Sequence, residues 1–383
     1  MMVPNNSKNN KVQNRNIILK MMAQNAPVSR IELARATGLS KMSLTNIIAE
    51  FNENDWVKEI GVDITSKGKR KPVLLDFSDN CLCAVGINLT RDYVEGCLAD
   101  IKGNIIYSKR IAIEDNADET AIELHMTELV KSIMNMGKHN VIGIGISTFG
   151  PVDLKKGIIN KPTSFRNIES FDILKAVKNN FSLPVFIQKN NNCAILAEKY
   201  YGFGKDVSNF SYIGVSRGVG ASCVVNDTLV TGQSGYCCEI GHITIDYKGE
   251  LCSCGNRGCL ERYANIRKCI EYVKERHPDI RHLDFNKVVN MSQEGDKAAI
   301  EAVDRLCGFI AIGIVNLVKI YDPNKIIIGS DIAIGGNIIL DRIKEKVLET
   351  VDFENIFISR FFDKGPLIGA ATLVFENMFF GNV

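Results

Sequence analysis

Glu239-Ile-Gly-His242, followed ten residues on by Cys252-Ser-Cys254-Gly-Asn-Arg-Gly-Cys259-Leu-Glu261, is the most chemically loaded stretch of this 383-residue chain. It brings one imidazole and three thiols within reach of a single loop, and its glycines permit tight turns there. Three Cys and one His make a closed tetrahedral zinc site that leaves no position for water or substrate. His242, Cys252, Cys254 and Cys259 are therefore the candidate ligands of one structural zinc per chain, which would fold the loop and break no bonds. The alternative is three free thiols that are simply buried. Glu239 and Glu261 bracket the loop. Carboxylates held there could accept paired hydrogen bonds from vicinal sugar hydroxyls, or could be ordinary surface acids.

Outward from this loop, strands and helices alternate. Short apolar runs at 212–215 and 221–225 read as strands, 261–276 and 296–320 as long helices, and 325–328 as another strand. Upstream, residues 83–89, 93–100 and 105–113 read as three strands, the last two joined by a turn at Lys102-Gly103-Asn104. A helix over 118–136 and a buried strand over 141–146 complete that unit. The expectation is an α/β architecture of two lobes with a ligand cleft between them.

The first 78 residues read differently. Ile17, Ile18, Met21 and Met22 fall on one face of a first helix, which Pro27 closes. Ser29 and Glu32 form a capping box for a second helix, and Gly38 stands where that helix should stop. Ser40 can cap a third helix from Lys41 to about Asn54, with Leu44, Ile47, Ile48 and Phe51 as its apolar face. Helix, tight turn and helix make a helix-turn-helix, which points to operator DNA as partner. Lys41, Met42, Ser43, Thr45 and Asn46 face outward in its first turns, and Arg35 joins them from the second helix as a candidate DNA contact. Strand-like runs at 56–64 and 72–77 flank Thr65-Ser-Lys-Gly-Lys-Arg-Lys71, a hairpin with a basic tip whose Lys69 and Arg70 suit phosphates. The competing reading is a packing element beside a solvated basic loop.

Charge distinguishes the two parts. The net charge of +2 looks neutral, yet residues 1–75 hold 12 Lys/Arg against 6 Asp/Glu, and the remainder 34 against 38. A +6 segment is joined to a −4 segment. With 45% apolar and 23% charged residues, the composition excludes wholesale disorder, collagen and coiled coil. The polar stretch from Met1 to Lys11 lacks the apolar core of a signal peptide, and no run is long enough to span a bilayer. A cytoplasmic location is expected, where twelve cysteines stay reduced or bind metal.

These residues together resemble the ROK family (repressors, open reading frames and sugar kinases) from about Lys11 to about Phe375, and specifically its winged-helix repressors such as those for xylose and N-acetylglucosamine. The most specific marker is 235–261. Weaker ones are Gly143-Ile-Gly-Ile-Ser-Thr-Phe-Gly-Pro-Val-Asp153, Pro184-Val-Phe-Ile-Gln-Lys-Asn-Asn-Asn192 and Ala197-Glu198. The resemblance implies an N-terminal winged helix-turn-helix (1–78) followed by an actin-like, ribonuclease-H-like two-lobed sugar-kinase fold (79–383). The first lobe would take about 79–195 plus the C-terminal helix, and the second about 196–368. It implies sugar contacts from Glu239, His242 and Glu261, with His242 also a zinc ligand, and a homodimer or tetramer on operator DNA, released by a sugar or sugar-phosphate effector.

Departures from the family's kinases argue against an enzyme. Their D-x-G-G-T is Asn88-Leu-Thr90-Arg91-Asp92 here, so side chains replace the glycines that admit phosphate. G-T-G-x-G is Ser216-Arg-Gly218-Val-Gly220, and G-G-G is Gly329-Ser330-Asp331. The general base of N-D-x-N falls at Asn190, an amide that cannot take a proton, so help worth roughly 10²- to 10⁴-fold is absent. Lys189 and Asn190 are also candidate sugar contacts. Lys189 could receive an anionic sugar or pair with a neighbouring carboxylate, and pairing is the preferred reading.

Overall fold

Ser29 and Glu32 cap each other's backbone. The computed structural model describes residues 7–64, 71–114, 116–160, 168–233 and 236–382. The Glu32 N–H donates to Ser29 Oγ at 3.2 Å and the Ser29 N–H to the Glu32 carboxylate at 2.8 Å. After α1 (Ser7–Asn25) and the short strand β1 (Val28–Ser29), this box starts α2 (Arg30–Thr37), which Gly38 ends at φ +69°. That left-handed position suits glycine. Ser40 caps α3 (Lys41–Glu53), accepting from the Ser43 N–H at 3.1 Å. Leu44, Ile47, Ile48 and Phe51 of α3 are buried, as the helical period requires. β2 (Val57–Val62) and β3 (Val73–Phe77) form an antiparallel hairpin, with β1 on the far side of β3. Three helices and a hairpin make the winged helix-turn-helix.

In α1 the apolar face is turned by a residue from the expected one. Ile18, Leu19, Met22 and Ala23 are buried, whereas Ile17 and Met21 are half-buried. The physical reason is a second neighbour: α1 packs on α2 and also on the C-terminal turn Phe380–Asn382. Glu50 of α3 ties the helices together, accepting from Arg15 at 3.2 Å and pairing with Lys11 at 3.0 Å. Lys11, then Arg15, hold the Glu50 carboxyl below the ordinary carboxylate range.

By its internal contacts the chain divides into two compact units, Met1–Gln188 with Ala370–Val383, and Lys189–Gly369. Beyond the winged helix, the first unit holds β4 (Leu82–Leu89), β5 (Tyr93–Asp100), β6 (Ile105–Ala112), α4 (Glu119–Met134) and β7 (Asn140–Thr148). The short strands β8 (Val152–Asp153), β9 (Ile158–Asn160) and β10 (Ser170–Asp172), then α5 (Ile173–Lys178) and β11 (Val185–Lys189), follow. The large sheet runs β11-β7-β4-β5-β6, with β4 antiparallel to β5 and parallel to β7. All eight residues of β4 are buried, as a central strand covered on both faces must be. Gly145 of β7 shows why the first lobe needs glycine: an added Cβ would lie 1.7 Å from the Ala370 carbonyl oxygen.

The second unit repeats this plan. It holds α6 (Asn190–Tyr201), β12 (Phe210–Val215), β13 (Val219–Val225), β14 (Thr228–Leu229), α7 (Ile266–Arg276), α8 (Phe285–Gln293) and α9 (Lys297–Tyr321). β15 (Lys325–Gly329), α10 (Gly336–Leu348), β16 (Ile356–Ile358) and the start of α11 (Gly365–Met378) complete it. Its sheet runs β14-β13-β12-β15-β16, and β12, like β4, pairs antiparallel on one side and parallel on the other. The helix expected over 261–276 begins only at Ile266. Asn265 caps it, accepting from the Lys268 N–H at 2.9 Å, and Leu260–Arg262 form a separate single turn.

Candidate metal centre and candidate nucleic-acid interface

The segment between β14 and α7 gathers the four expected ligands. The ligand atoms of His242, Cys252, Cys254 and Cys259 all lie within 4.8 Å of one another. Cys254 Sγ is 3.6 Å from Cys259 Sγ, and Cys252 Sγ is 3.7 Å from His242 Nδ1. A zinc tetrahedron with Zn–S of about 2.3 Å and Zn–N of about 2.0 Å has edges of about 3.5–3.8 Å. The donor set and its spacing therefore fit zinc. Backbone geometry explains the glycines: Gly255 lies at φ +90°, and Gly258, at φ +64°, is so close to Asp246 that a Cβ would stand 1.6 Å from its carbonyl oxygen. Burial, then the neighbouring sulfurs, push the Cys259 thiol up to about 12, while the Asn256 backbone N–H holds that of Cys254 down. Crowded thiols resist sharing negative charge, a conflict that a divalent cation relieves.

Asn256 escaped the sequence reading. Its Nδ2 donates to Thr244 Oγ1 at 2.8 Å and reaches the His242 carbonyl oxygen at 3.4 Å and Cys259 Sγ at 3.5 Å. It braces both ends of the ligand set from within the C-x-C-G-x-x-G-C spacing, where its residue type alone carried no signal.

The expected sugar contacts fall into separate local arrangements. Glu239 precedes the single helical turn Ile240–His242 and pairs with Lys189 at the end of β11. The pairing reading of Lys189 is the one this geometry has. Asn190 turns its Oδ1 onto the Asn191 N–H at 2.8 Å. Glu261 accepts from the Val219 N–H at 3.1 Å, and a Cβ on Gly218 would stand 2.4 Å from its Oε2. Asn191 lies against the cross-strand pair Gly214 and Gly220 of β12 and β13: a Cβ on Gly214 would meet its Oδ1 at 2.3 Å, and one on Gly220 its Nδ2 at 2.1 Å.

In the winged helix, α3 turns Lys41, Met42, Thr45, Asn46 and Ala49 outward, with Ser43 half-buried. Among the described residues Arg35 and Lys41 enter no ion pair, whereas Lys11 and Arg15 pair with Glu50, Arg30 with Glu59 and Lys58 with Asp79. Those four cations are thus engaged within the fold, whereas Arg35 on α2 and Lys41 on α3 are without an ion pair among the described residues. Lys69 and Arg70 fall outside the described residues, as does Gly235.

The ROK family model matches residues 84–377. The xylose repressor of Bacillus subtilis (strain 168) is 28% identical over 371 residues, covering 95% of each chain. A crystal structure described as a ROK family transcriptional regulator, homologue of the Escherichia coli MLC protein, is similar in fold with a TM-score of 0.79 at 24% identity, over 98% of both chains. A ROK family glucokinase from Streptomyces griseus, solved with glucose and AMPPNP, has a TM-score of 0.68 at 22% identity, over 76% of this chain and 98% of its own.

Proposed function

Because this chain belongs to the ROK family, we propose that it is a sugar-responsive transcriptional repressor that leaves its operator when a sugar binds. One observation carries this reading: a winged helix with an outward-facing, cation-bearing α3 is joined to a ROK domain that has Asn190 where a kinase needs its general base. The reader is residues 1–78 and the sensor 79–383.

Arg35, Lys41, Met42, Ser43, Thr45 and Asn46, with Lys69 and Arg70 at the wing, contact DNA. Lys189, Asn190, Glu239, His242 and Glu261 contact the effector. Since the Lys189 ammonium is already met by the Glu239 carboxylate, the effector is a neutral sugar, and a phosphorylated one would meet an acid beside the base. His242, Cys252, Cys254 and Cys259 hold zinc, which closes the loop that carries Glu239 and Glu261 and does no chemistry on the sugar. The position of the kinases' general base is the Asn190 amide, which takes no proton, and the Asn191 side chain lies against Gly214 and Gly220. The protein is therefore no kinase. No described helix is long and apolar enough to cross a membrane, and the protein acts in the cytoplasm as a homodimer or tetramer.

Sugar shifts a population between two arrangements of the paired winged helices, one of which fails to match the half-site spacing. A gel-shift on the DNA upstream of its own gene tests this: binding should weaken with sugar, and binding indifferent to every monosaccharide overturns the sensor role. A thermal-shift screen identifies the sugar, since a ligand at 100 times its Kd stabilises by about 2.7 kcal/mol. Incubation with ATP, magnesium and that sugar should give no sugar phosphate; turnover would restore the kinase.

A further inference from the structure

We infer that α3 reads A·T base pairs, through the Asn46 amide and an apolar row made by Met42, Thr45 and Ala49. The inference rests on the DNA-binding reading above and adds which bases are read.

Met42, Thr45, Asn46 and Ala49 recur at helical spacing and are all exposed, Met42 at 76%. A thioether left this exposed on a helix whose opposite face is fully packed covers nothing among the described residues. The Thr45 hydroxyl is already engaged, donating to the Lys41 carbonyl oxygen at 2.8 Å, and Ser43 Oγ lies 2.9 Å from Ser40 Oγ. What Thr45 offers outward is thus chiefly its methyl group. The Asn46 side-chain amide makes no hydrogen bond among the described residues. α3 contains no arginine, and its one lysine is at the first turn.

Major-groove chemistry assigns these groups. An Asn amide pairs bidentately with N6 and N7 of adenine, Ala and the Thr methyl pack on the thymine methyl, and guanine is read chiefly by Arg or Lys. The outward row therefore matches adenine and thymine on both edges, whereas guanine O6 and N7 would meet only Lys41 and the donor half of the Asn46 amide, with its oxygen left unpaired. From Met42 to Ala49 the helix rises about 10 Å, which spans about three base-pair steps. Each half-site should carry a run of about three A·T pairs.

Selection of full-length protein on a random duplex pool, followed by sequencing, tests this. The expected result is that A·T run, with deoxyuridine in place of thymidine lowering affinity at the methyl-contacted positions. Asn46→Ala should relax discrimination at one pair by roughly 5- to 150-fold. G·C pairs at the centre of the selected half-site, or an unchanged preference in Asn46→Ala, overturn the A·T reading and leave DNA binding intact. If no duplex is retained even at low salt, the DNA-binding reading itself fails. Because Asn46 is exposed and unbonded, its replacement leaves the fold in place, which the thermal midpoint verifies.

Discussion

Cys254 is the one exposed cysteine among the four side chains that could hold a metal, yet its sulfur stands 3.6 Å from that of Cys259. A thiol at the surface has no packing reason to be held there; a shared cation supplies one. Replacing Cys254 with Ser should lower bound zinc from about one equivalent per chain to near zero, measured by atomic absorption. A folded, metal-free wild-type protein would refute the site. Glu198 poses the opposite problem, a carboxylate with no exposure at all. It accepts from Ser359 Oγ at 2.6 Å and the Phe203 N–H at 2.9 Å, and burial pushes its pKa up against those two bonds. With the folded pKa raised, stability is greatest while the group is protonated and declines as pH rises through that value. Glu198→Gln keeps the Phe203 N–H bond on its amide oxygen, turns the Ser359 bond round so that its NH2 donates to the hydroxyl, and removes the charge. Its stability relative to wild type should rise between pH 4 and neutral, followed by thermal unfolding, and a flat difference would show that burial does not penalise this charge.

At the scale of the element, the winged helix is set by short-range chemistry and was largely legible. The capping box, the Gly38 stop, the Ser40 cap and the buried face of α3 follow from side chains within four residues of each other. Ser29→Ala should therefore cost about 1 kcal/mol in denaturant unfolding, and Gly38→Ala a comparable amount through its positive φ. No loss in either would mean that tertiary packing alone holds α2. α1 was less legible, because its buried stripe answers to Phe380, more than 350 residues away. The start of α7 was misplaced for a related reason: the strong Asn265 cap competes with a periodic pattern that runs straight through it.

For the whole molecule, the +6 and −4 split identified the reader without saying which of its cations are available. Ion pairs withdraw Lys11, Arg15, Arg30 and Lys58, leaving Arg35 and Lys41 among the unpaired described ones. Arg35→Ala or Lys41→Ala should reduce the slope of log affinity against log salt by about one, whereas Lys58→Ala should leave it unchanged; equal slopes in all three would contradict this division of labour. The same distinction runs through the sensor. Ligand spacing in C-x-C-G-x-x-G-C, the amide at Asn190 and the alternation of strands and helices were readable because each depends on neighbours along the chain. Glu239 as the partner of Lys189, the Asn191 amide against Gly214 and Gly220, and the approach of Ala370 to Gly145 were not. Sequence by itself determined which local structures form and which side chains come together as a group that could hold a metal, since caps, periods and ligand spacings act over a few residues. Only the tertiary structure decided which charges cancel and which surfaces remain to meet a partner, because Coulomb attraction and close packing depend on distance in space.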